Sequence, residues 1–291
     1  MVAVDRAGPP ARPFGADLVK EVRQVARSLL PQAVLNWREA RFYANYGEVE
    51  LHLLDILCDP QRDAIDVGAN DGSYIHFLRR HAKRVMAYEP MPHLAHALRD
   101  KFPYDDVVVE TLALSDSFGN IELRVPVVDG VAVTGCSTIS QKAAGTYPAH
   151  RTVPALMNRL DDVYDGDVGF IKIDVEGHEQ AVLDGAVDTL IRCQPRMLVE
   201  VDERLSPGGL ARARTYFDVL GYRGYYVRDG HLERIERFSI ERLQALKHLP
   251  DLTAPLQQRA RFPDYIYNFI FLPPDEPDDT RLRLNERLAT L

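Results

Sequence analysis

The chain has 291 residues, of which 46 % are hydrophobic and 27 % charged, an ordinary composition for a soluble protein with a sizeable core. Its 35 basic and 43 acidic side chains give a formal net charge of −8. This charge argues against broad electrostatic binding of nucleic acid or of an anionic membrane surface.

The cysteines and the amino-terminal residues bear on the cellular compartment. Cys58, Cys136 and Cys193 are widely spaced and form no C-x-x-C pair, so we expect neither a disulfide framework nor a zinc site. Residues 1–13 lack the apolar segment of a signal peptide, and no stretch reaches the roughly 18 apolar residues of a membrane span. We therefore predict a cytoplasmic protein with free thiols.

The first 60 residues differ in pattern from the rest. Residues 1–15 are rich in proline and glycine, and we predict that they are disordered. Apolar residues then recur at helical spacing over residues 17–30, and a second helical stretch follows over residues 38–58. We predict that residues 16–60 form a helical extension, either a lid or a dimer surface, which leaves a homodimer open.

From residue 63 onward, short apolar runs alternate with helical patterns, which indicates a parallel sheet with covered faces. The predicted strands are residues 64–67, 84–88, 107–111, 120–127, 170–173, 197–201, 222–227 and 266–272. The predicted helices are residues 74–81, 93–101, 179–193 and 210–220. We predict an α/β, Rossmann-like fold over residues 61–272, mostly parallel with one late antiparallel strand. The tail, residues 273–291, is predicted to be either helical or disordered.

The long segment 129–152 is rich in Gly, Ser, Thr and Ala and has no hydrophobic period. Loops of this length in compact domains are usually functional, so we predict a loop that closes over a substrate. His150 in this segment is a second candidate base, although a lone loop histidine is more often simply exposed.

The turn after the first predicted strand favours a nucleoside ligand with an amino-acid tail. Gly68 and Gly72 flank Asn70, where a dinucleotide-binding turn would carry a third glycine. Asp66 at the strand end would repel a pyrophosphate and attract an ammonium, directly or through water. That chemistry suits S-adenosylmethionine, but a plain strand-to-helix turn capped by Asp66 explains this segment equally well.

The next two strand ends extend this pocket. Glu89 follows the second strand, where an acidic residue about 20 residues past the glycine turn holds a ribose diol. After the third strand, Ala113 and Leu114 are placed to flank an adenine ring, and Ser115 or Asp116 to bond its exocyclic amine. A turn capped by Ser115 and Asp116 is nearly as good an interpretation.

A strand over residues 170–173 leads into a run of acids and one histidine. Asp174, Glu176 and His178 follow it, at the sheet edge where such folds place their ligands. His178 has the right ordinary pKa to remove a proton from an acceptor hydroxyl, so it is our predicted catalytic base, with Asp174 and Glu176 beside it. Packing or capping at the helix start is the alternative role for His178, and Glu179 is predicted to be a first-turn helix acid.

These motifs together resemble the FkbM family of methyltransferases. The resemblance covers roughly residues 63–203 and rests on D-V-G-A-N-D-G-S-Y (66–74), Y-E-P (88–90), L-D-D (160–162), I-K-I-D-V-E-G-H-E (171–179), L-D-G-A (183–186) and L-V-E-V (198–201). It implies a class I methyltransferase fold, S-adenosylmethionine as donor and O-methylation of sugars or polyketide-type natural products. It also implies that residues 66–72 and Glu89 hold the cofactor and that residues 174–178 line the active site.

A divalent metal is a further hypothesis. Asp174 ends one predicted strand, and Glu200 and Asp202 end the next, so hard oxygen ligands for Mg²⁺ or Ca²⁺ come together at one edge. Alternatively, Glu200 bonds to the backbone or the cofactor and Asp202 caps a helix. Asp161 and Asp162 are expected either to shape the pocket rim or to cap a helix.

The leading hypothesis is therefore an S-adenosylmethionine-dependent O-methyltransferase acting on a small-molecule or oligosaccharide acceptor. A nicotinamide-dependent oxidoreductase fits the glycine turn and Glu89 only loosely, because the third glycine is missing. A non-catalytic nucleoside-binding subunit is a third alternative. A nucleic-acid methyltransferase is disfavoured, since we find neither an N/D-P-P-Y/F-type motif nor a basic stretch with interleaved aromatics.

Overall fold

The computed structural model describes residues 30–128, 131–132, 137–139, 149–250, 254–277 and 279–291. The chain divides into two compact units, Met1–Glu39 and Ala40–Leu291. The predicted disordered segment and the predicted helix over residues 17–30 lie outside the described residues, except for Leu30 itself. The predicted domain limits at residues 16, 61 and 273 stay predictions.

The described strands are β1 Asp63–Val67, β2 Val85–Tyr88, β3 Val107–Glu110, β4 Ala113–Leu114, β5 Gly119–Val128, β6 Val131–Ala132, β7 His150–Asn158, β8 Val168–Ile173, β9 Arg196–Glu200, β10 Arg223–Arg228, β11 His231–Arg234 and β12 Asn268–Leu272. The described α-helices are α1 Gln32–Tyr46, α2 Leu54–Leu57, α3 Ile75–His81, α4 Pro92–Lys101, α5 Leu160–Val163, α6 Glu179–Asp184, α7 Val187–Cys193, α8 Gly209–Val219, α9 Ile240–Leu243 and α10 Thr280–Leu288. Short 3₁₀ turns lie at Val49–Leu53, Ile235–Arg237, Leu246–His248 and Leu256–Gln258.

Eight strands form the main sheet in the order β11-β10-β12-β9-β8-β1-β2-β3. Strands β9, β8, β1, β2 and β3 pair in parallel, and β12 is antiparallel to β9. The predicted Rossmann-like α/β fold with a late antiparallel strand is thus confirmed. Strand β11, which pairs antiparallel with β10, is a further strand that the sequence analysis did not predict.

The main sheet is buried on both faces because its central strands are nearly continuous runs of apolar residues. Every residue of β1, β8 and β12 is buried. Successive side chains of the central strands point alternately into two hydrophobic cores, one on each face of the sheet. Ala64, Phe170 and Leu198 pack towards α2, α3 and α10, whereas Ile65 and Ile171 pack towards α6, α7 and α8.

A second sheet, ordered β4-β7-β5-β6, lies beyond β3 in the chain. The predicted strand over residues 120–127 is confirmed as part of β5, which pairs antiparallel with β7 over its length. Leu123 and Val125 of β5 form a small core with Met91. The prediction of a loop as far as residue 152 is wrong at its end, because β7 begins at His150. Most of the predicted loop lies outside the described residues.

Other departures from the predicted elements have local causes. The stretch 38–58 is not one helix but the end of α1, a 3₁₀ turn and α2. The predicted helix 179–193 is two helices separated at Gly185, where an added Cβ would overlap the Ser115 carbonyl group. The tail contains α10, whose Leu284 and Leu288 are buried.

The cysteines and the helix lengths are features of the molecule outside the site. Cys58 and Cys193 are free and buried, as predicted, and Cys136 lies outside the described residues. No helix in the described part of the chain combines the length and the apolar character needed to cross a bilayer.

Candidate active site

The carboxyl ends of β1, β2, β8 and β9 meet at one edge of the main sheet, where parallel α/β sheets place their ligands. Two cavities open there. A small cavity of about 70 Å³ lies beside the end of β2, and a large cavity of about 560 Å³ lies on the other side of the β1–α3 turn. Gly68, Asn70 and Asp174 line both cavities, so a ligand reaching from one to the other would pass these residues.

The β1–α3 turn has the tight backbone that its glycines suggested. Gly68, Asn70 and Gly72 all have positive φ, at 83°, 45° and 82°. Gly68 lies directly against the Asp174 backbone, and an added Cβ would overlap the Asp174 carbonyl oxygen. The turn therefore packs tightly onto the end of β8, which brings the two predicted motifs together.

Glu89 lines the small cavity together with Ala113 and Leu114, as predicted. Its two carboxylate oxygens accept hydrogen bonds from the backbone N–H groups of Asn70, at 2.9 Å, and Met91, at 2.8 Å. Burial raises the pKa of Glu89, and these two hydrogen bonds oppose that effect. Each oxygen retains a lone pair, so the carboxylate is both oriented and able to accept further hydrogen bonds.

Asp66 does not occupy the position that the sequence analysis gave it. Its side chain is fully buried, lies outside the described lining of both cavities, and has no hydrogen-bond partner among the described residues. The sheet register pairs Asp66 with Lys172, whose Nζ lies 3.9 Å from Oδ1. Burial raises the pKa of Asp66 to about 6, and Lys172 opposes this rise. The carboxylate faces the ammonium of Lys172, which disfavours direct contact with a ligand ammonium, and a contact through water stays a prediction.

Lys172 is a site residue that the sequence analysis missed. Its Nζ donates to Asp174 Oδ2 at 2.9 Å and lies 4.6 Å from the centre of the Tyr74 ring. Burial disfavours the charged ammonium, but Asp174 and Asp66 outweigh burial and raise the pKa of Lys172. One lysine inside the otherwise apolar run of β8 was the available signal, since a lysine is almost never buried without a partner.

The wall of the large cavity opposite the glycine turn comes from distant parts of the chain. Glu48 Oε2 accepts hydrogen bonds from the Tyr74 hydroxyl at 2.5 Å and from Asn268 Nδ2 at 3.2 Å. Glu50 lines the same wall and is buried. Further lining comes from four tyrosines and three basic residues, namely Tyr43, Tyr46, Tyr265, Tyr267, His248, Arg259 and Arg261. The sequence analysis missed this wall, because no local motif marks it.

A cluster of three carboxylates stands at the ends of β8 and β9. Asp174, Glu176 and Glu200 each offer an oxygen, and the three oxygens lie within 4.8 Å of one another. Burial and the nearby Asp174 carboxylate raise the pKa values of Glu176 and Glu200 well above the ordinary range. Glu176 also has a positive φ of 52°, an uncommon backbone conformation for this residue type. The arrangement favours a bound proton or cation, because three like charges this close repel each other.

Residues 66–224, more than half of the chain, match the family model described as the methyltransferase FkbM domain. The chain belongs to the FkbM methyltransferase family. The resemblance inferred from the motifs is therefore confirmed. No curated protein matches the sequence.

Solved structures similar to this FkbM-family protein share only its general fold. A methyltransferase FkbM from Methylobacillus flagellatus KT is 16 % identical with a TM-score of 0.46, and the match covers 89 % of this chain and 60 % of that one. The chain thus spans less than two thirds of that protein's length. An rRNA methylase from Streptococcus thermophilus is 8 % identical, with coverages of 77 % and 93 % and a TM-score of 0.40. A precorrin-6y C5,15-methyltransferase from Geobacter metallireducens GS-15 is 14 % identical, with coverages of 76 % and 86 % and a TM-score of 0.38.

His178 lies close to the acid cluster in sequence but outside the described lining of both cavities. Its Nε2 is 2.9 Å from the Ser115 hydroxyl oxygen, and burial lowers the pKa of the imidazole. Ser115 is buried, so this pair ties the β4 end to the start of α6. The placement corresponds to the packing role that was the alternative for His178, and His150, the second candidate base, is exposed at the start of β7.

Asp202 does not join the acid cluster, contrary to the predicted metal set of Asp174, Glu200 and Asp202. Arg204 forms a close ion pair with Asp202, and the Tyr265 hydroxyl donates to its Oδ1 at 2.9 Å. Both carboxylate oxygens of Asp202 are engaged by these two partners. Glu176 takes the third position in the cluster.

The remaining predicted acids have structural partners. Asp161 caps α7 by accepting hydrogen bonds from the backbone N–H groups of Asp188 and Thr189. Asp162 lies 3.6 Å from the Arg159 guanidinium, and Asp116 accepts a hydrogen bond from Ser117. Glu179 is buried and accepts a hydrogen bond from the Gly177 N–H at 2.6 Å, and burial raises its pKa to about 7.

Glu50 gives the protein a measurable pH dependence. Burial, followed by the nearby Glu48 carboxylate, raises the pKa of Glu50 from 4.5 to about 8. Between these values the folded protein binds one more proton than the unfolded chain, so stability falls as the pH rises. From pH 5.5 to pH 7.5 the contribution of Glu50 to the free energy of unfolding is expected to fall by roughly 2.7 kcal/mol.

Urea unfolding at the two pH values measures this contribution. The side chain introduced by Glu50→Gln is uncharged at both pH values, so this variant should lose the fall in the free energy of unfolding that Glu50 contributes. Glu122→Gln, at an exposed position of β5, should show the same fall as the unsubstituted protein. Equal slopes in the unsubstituted protein and in Glu50→Gln would show that Glu50 is ionised in the folded state.

Proposed function

We propose that the protein transfers the methyl group of S-adenosylmethionine to a hydroxyl oxygen of a sugar, glycoside or related natural product. The observation that carries this proposal is the pair of cavities that share Gly68, Asn70 and Asp174. A donor bound beside Glu89, with only part of its adenosine group in the small cavity of about 70 Å³, would present its reactive end at these residues, and an acceptor in the large cavity would meet it there. Family membership supports the reaction class.

On the donor side, the residues present fit an adenosine group. Glu89 is oriented by two backbone N–H groups and has lone pairs for a ribose diol. Ala113 and Leu114 supply apolar surface for a purine ring. Gly68 lines both cavities and allows close approach of the ligand to the backbone, whereas Gly72 lines neither cavity and packs against Leu98 and Phe102. The bound donor supplies an activated methyl group, so the protein's work is mainly alignment and electrostatics.

On the acceptor side, the large cavity combines aromatic faces with carboxylates. Tyr43, Tyr46 and Tyr267 provide flat, partly apolar surfaces with hydroxyl groups at their edges. Asp174 provides a strong hydrogen-bond acceptor for hydroxyl groups. A polyhydroxylated molecule with apolar C–H faces matches this combination, which supports a sugar-type acceptor.

Asp174 is the proposed base for the acceptor hydroxyl proton, in place of His178. It lines both cavities, and its carboxylate is held by the Lys172 ammonium at 2.9 Å. The proton is then held among the carboxylates of Asp174, Glu176 and Glu200, where the close like charges favour its uptake. His178 is proposed to position the start of α6 through Ser115.

The same three carboxylates also fit a divalent cation. Hard oxygen donors within 4.8 Å of one another suit Mg²⁺ or Ca²⁺, and a cation would relieve the repulsion that raises the pKa values of Glu176 and Glu200. Asp174, Glu176 and Glu200 would hold it. When bound, such an ion would orient acceptor hydroxyl groups and make one of them more acidic.

Calorimetric titration with S-adenosylhomocysteine, with and without Mg²⁺, tests the donor site and the metal together. We expect Glu89→Ala to weaken binding by roughly 100-fold, because a ribose diol loses two charge-assisted hydrogen bonds. Glu110→Ala is the matched control, since Glu110 is an exposed acid at the end of the neighbouring strand β3. An acceptor screen with glycosides follows from a positive result.

Either arm has an outcome that contradicts the proposal. If S-adenosylhomocysteine gives neither heat nor a thermal shift, the donor assignment is wrong, and nicotinamide cofactors are the next ligands to test. If Mg²⁺ alone gives no heat and EDTA leaves methyl transfer unchanged, the acid cluster acts on protons only.

A further inference from the structure

The donor proposed above carries an ammonium and a carboxylate at its amino-acid end, and the protein needs a hydrogen-bond acceptor for that ammonium. The strand-end acid that the sequence offered for this role, Asp66, is buried outside the described lining of both cavities. Another carboxylate near the shared residues Gly68 and Asn70 is better placed for direct contact with the ammonium.

Glu48 has the position and the orientation for it. The residue lies just before the 3₁₀ turn Val49–Leu53 and lines the large cavity, as Gly68, Ala69 and Asn70 do from the β1–α3 turn. The Tyr74 hydroxyl and Asn268 Nδ2 both donate to its Oε2, which fixes the carboxylate against the cavity wall. Tyr74 follows the glycine turn directly, so the carboxylate is tied to the turn that approaches the donor.

Asn268 supplies an independent sign that a ligand group belongs here. The residue is 6 % exposed and lines the large cavity, yet its Oδ1 is buried with no hydrogen-bond partner among the described residues. Its Nδ2 donates to Glu48, so the amide orientation is set and Oδ1 is left as an acceptor. A buried acceptor without a donor costs about 1–3 kcal/mol, which an incoming N–H group would recover.

The local charge favours a cation over a neutral group. Glu48 and Asp174 are two acids of this wall, and the buried lysine among them, Lys172, is engaged by Asp174 at 2.9 Å. Burial raises the pKa of Glu48, and Lys172, which Glu48 shares with Asp174 and Asp66, opposes that rise, so an added cation would stabilise the charged carboxylate. An ammonium has three N–H donors and no acceptor, which suits a carboxylate and an amide oxygen together.

We propose that Glu48 and Asn268 bind the α-ammonium of the methyl donor's amino-acid end. This inference rests on the proposed function, because it assumes an S-adenosylmethionine-type donor. Both residues lie outside residues 66–224, one before the family match and one after it. The donor site is therefore completed by two segments, on either side of the FkbM domain, that β12 and the 3₁₀ turn bring together.

The test measures the affinities of two ligands for the unsubstituted protein and for a variant, and no methyl acceptor is needed. S-adenosylhomocysteine is compared with its deamino analogue, in which the ammonium is replaced by hydrogen, on the unsubstituted protein and on Glu48→Gln. We expect removal of the ammonium to weaken binding to the unsubstituted protein by about tenfold or more. On Glu48→Gln the two ligands should bind with affinities within about twofold of each other, because the charge pair is already gone.

Glutamine keeps an oxygen for Tyr74 and Asn268, so the wall should keep its shape, which a thermal melt checks. Asp264→Asn is the matched control, since Asp264 is an exposed acid of the same cavity and should leave the ligand difference unchanged. Asn268→Ala is the second variant and should reduce the preference for the ammonium-bearing ligand.

The outcomes separate this inference from the function it rests on. If neither ligand binds the unsubstituted protein, the proposed donor fails. If both ligands bind it equally well, or if Glu48→Gln weakens both to the same extent, the donor stands and the assignment of Glu48 is overturned. If Glu48→Gln fails to fold, Asn268→Ala still tests the assignment, and an unchanged preference for the ammonium-bearing ligand in that variant would overturn it.

Discussion

Asp174→Asn is expected to lower kcat for methyl transfer by about 10³-fold, while S-adenosylhomocysteine binds within a few-fold of its original affinity. Asparagine keeps the shape of the side chain but cannot take the acceptor proton, and a positioned base contributes about 10² to 10⁴ in rate. A 10³-fold loss corresponds to about 4 kcal/mol of transition-state stabilisation. Single-turnover rates with an acceptor from the glycoside screen measure it.

Loss of the carboxylate also removes the nearest counter-charge of the Lys172 ammonium and leaves Asp66 and Glu48 as the remaining acids near it, so stability must be separated from catalysis. The triple variant Asp66→Asn, Lys172→Met and Asp174→Asn removes the lysine and the two carboxylates that form ion pairs with it. It should recover stability relative to the single variant without recovering activity, because breaking a buried pair costs more than removing it. His178→Asn should keep kcat within about threefold. Loss of activity in His178→Asn as large as that in Asp174→Asn would return the role of base to His178.

The sequence alone was sufficient for the parts of this site that are local in the chain. The glycine turn at residues 68–72 and the acid at Glu89 follow directly from strand ends, and the structure places both beside one cavity. Asp174 and Glu176 follow β8 in the same way. These segments could be predicted because a few adjacent residues fix both the backbone conformation and the position at the sheet edge.

Other parts depend on register and on contacts between distant residues. Asp66 faces Lys172 because β1 and β8 pair with that register, and a shift of one residue would turn the carboxylate to the other face. Glu48 and Asn268 meet through the pairing of β12 with β9, across 220 residues of sequence. No periodic pattern encodes such a meeting, which is why this part of the large cavity was missed.

Packing also decides where secondary structure stops. The helical pattern of residues 179–193 is continuous in sequence, yet Gly185 lies against the Ser115 carbonyl and the helix is interrupted there. Strand β7 was missed because its side chains are mostly exposed and it contains Pro154, so neither alternation nor composition marks it. In both cases the partner element, which the sequence does not reveal, determines the outcome.

Gly68→Ala is expected to destabilise the fold by about 3 kcal/mol or more and to abolish S-adenosylhomocysteine binding. Two costs combine at this residue. Its φ of 83° is a conformation that costs an L side chain about 1–2 kcal/mol, and the new Cβ would overlap the Asp174 carbonyl oxygen. Relief of that overlap pushes the β1–α3 turn away from β8 and separates residues that line both cavities.

Gly230→Ala is a control that has the backbone cost of a positive φ without the overlap of the new Cβ. Gly230 has a similar φ of 77°, but its added Cβ would meet the Phe262 ring at an ordinary 3.7 Å. This control should be destabilised only by the backbone cost of about 1–2 kcal/mol and should bind S-adenosylhomocysteine with unchanged affinity. Urea unfolding and calorimetry on both variants make the comparison. Equal destabilisation of the two would mean that the turn moves freely against β8, and the shared lining of the two cavities would then not depend on the contact between Gly68 and Asp174.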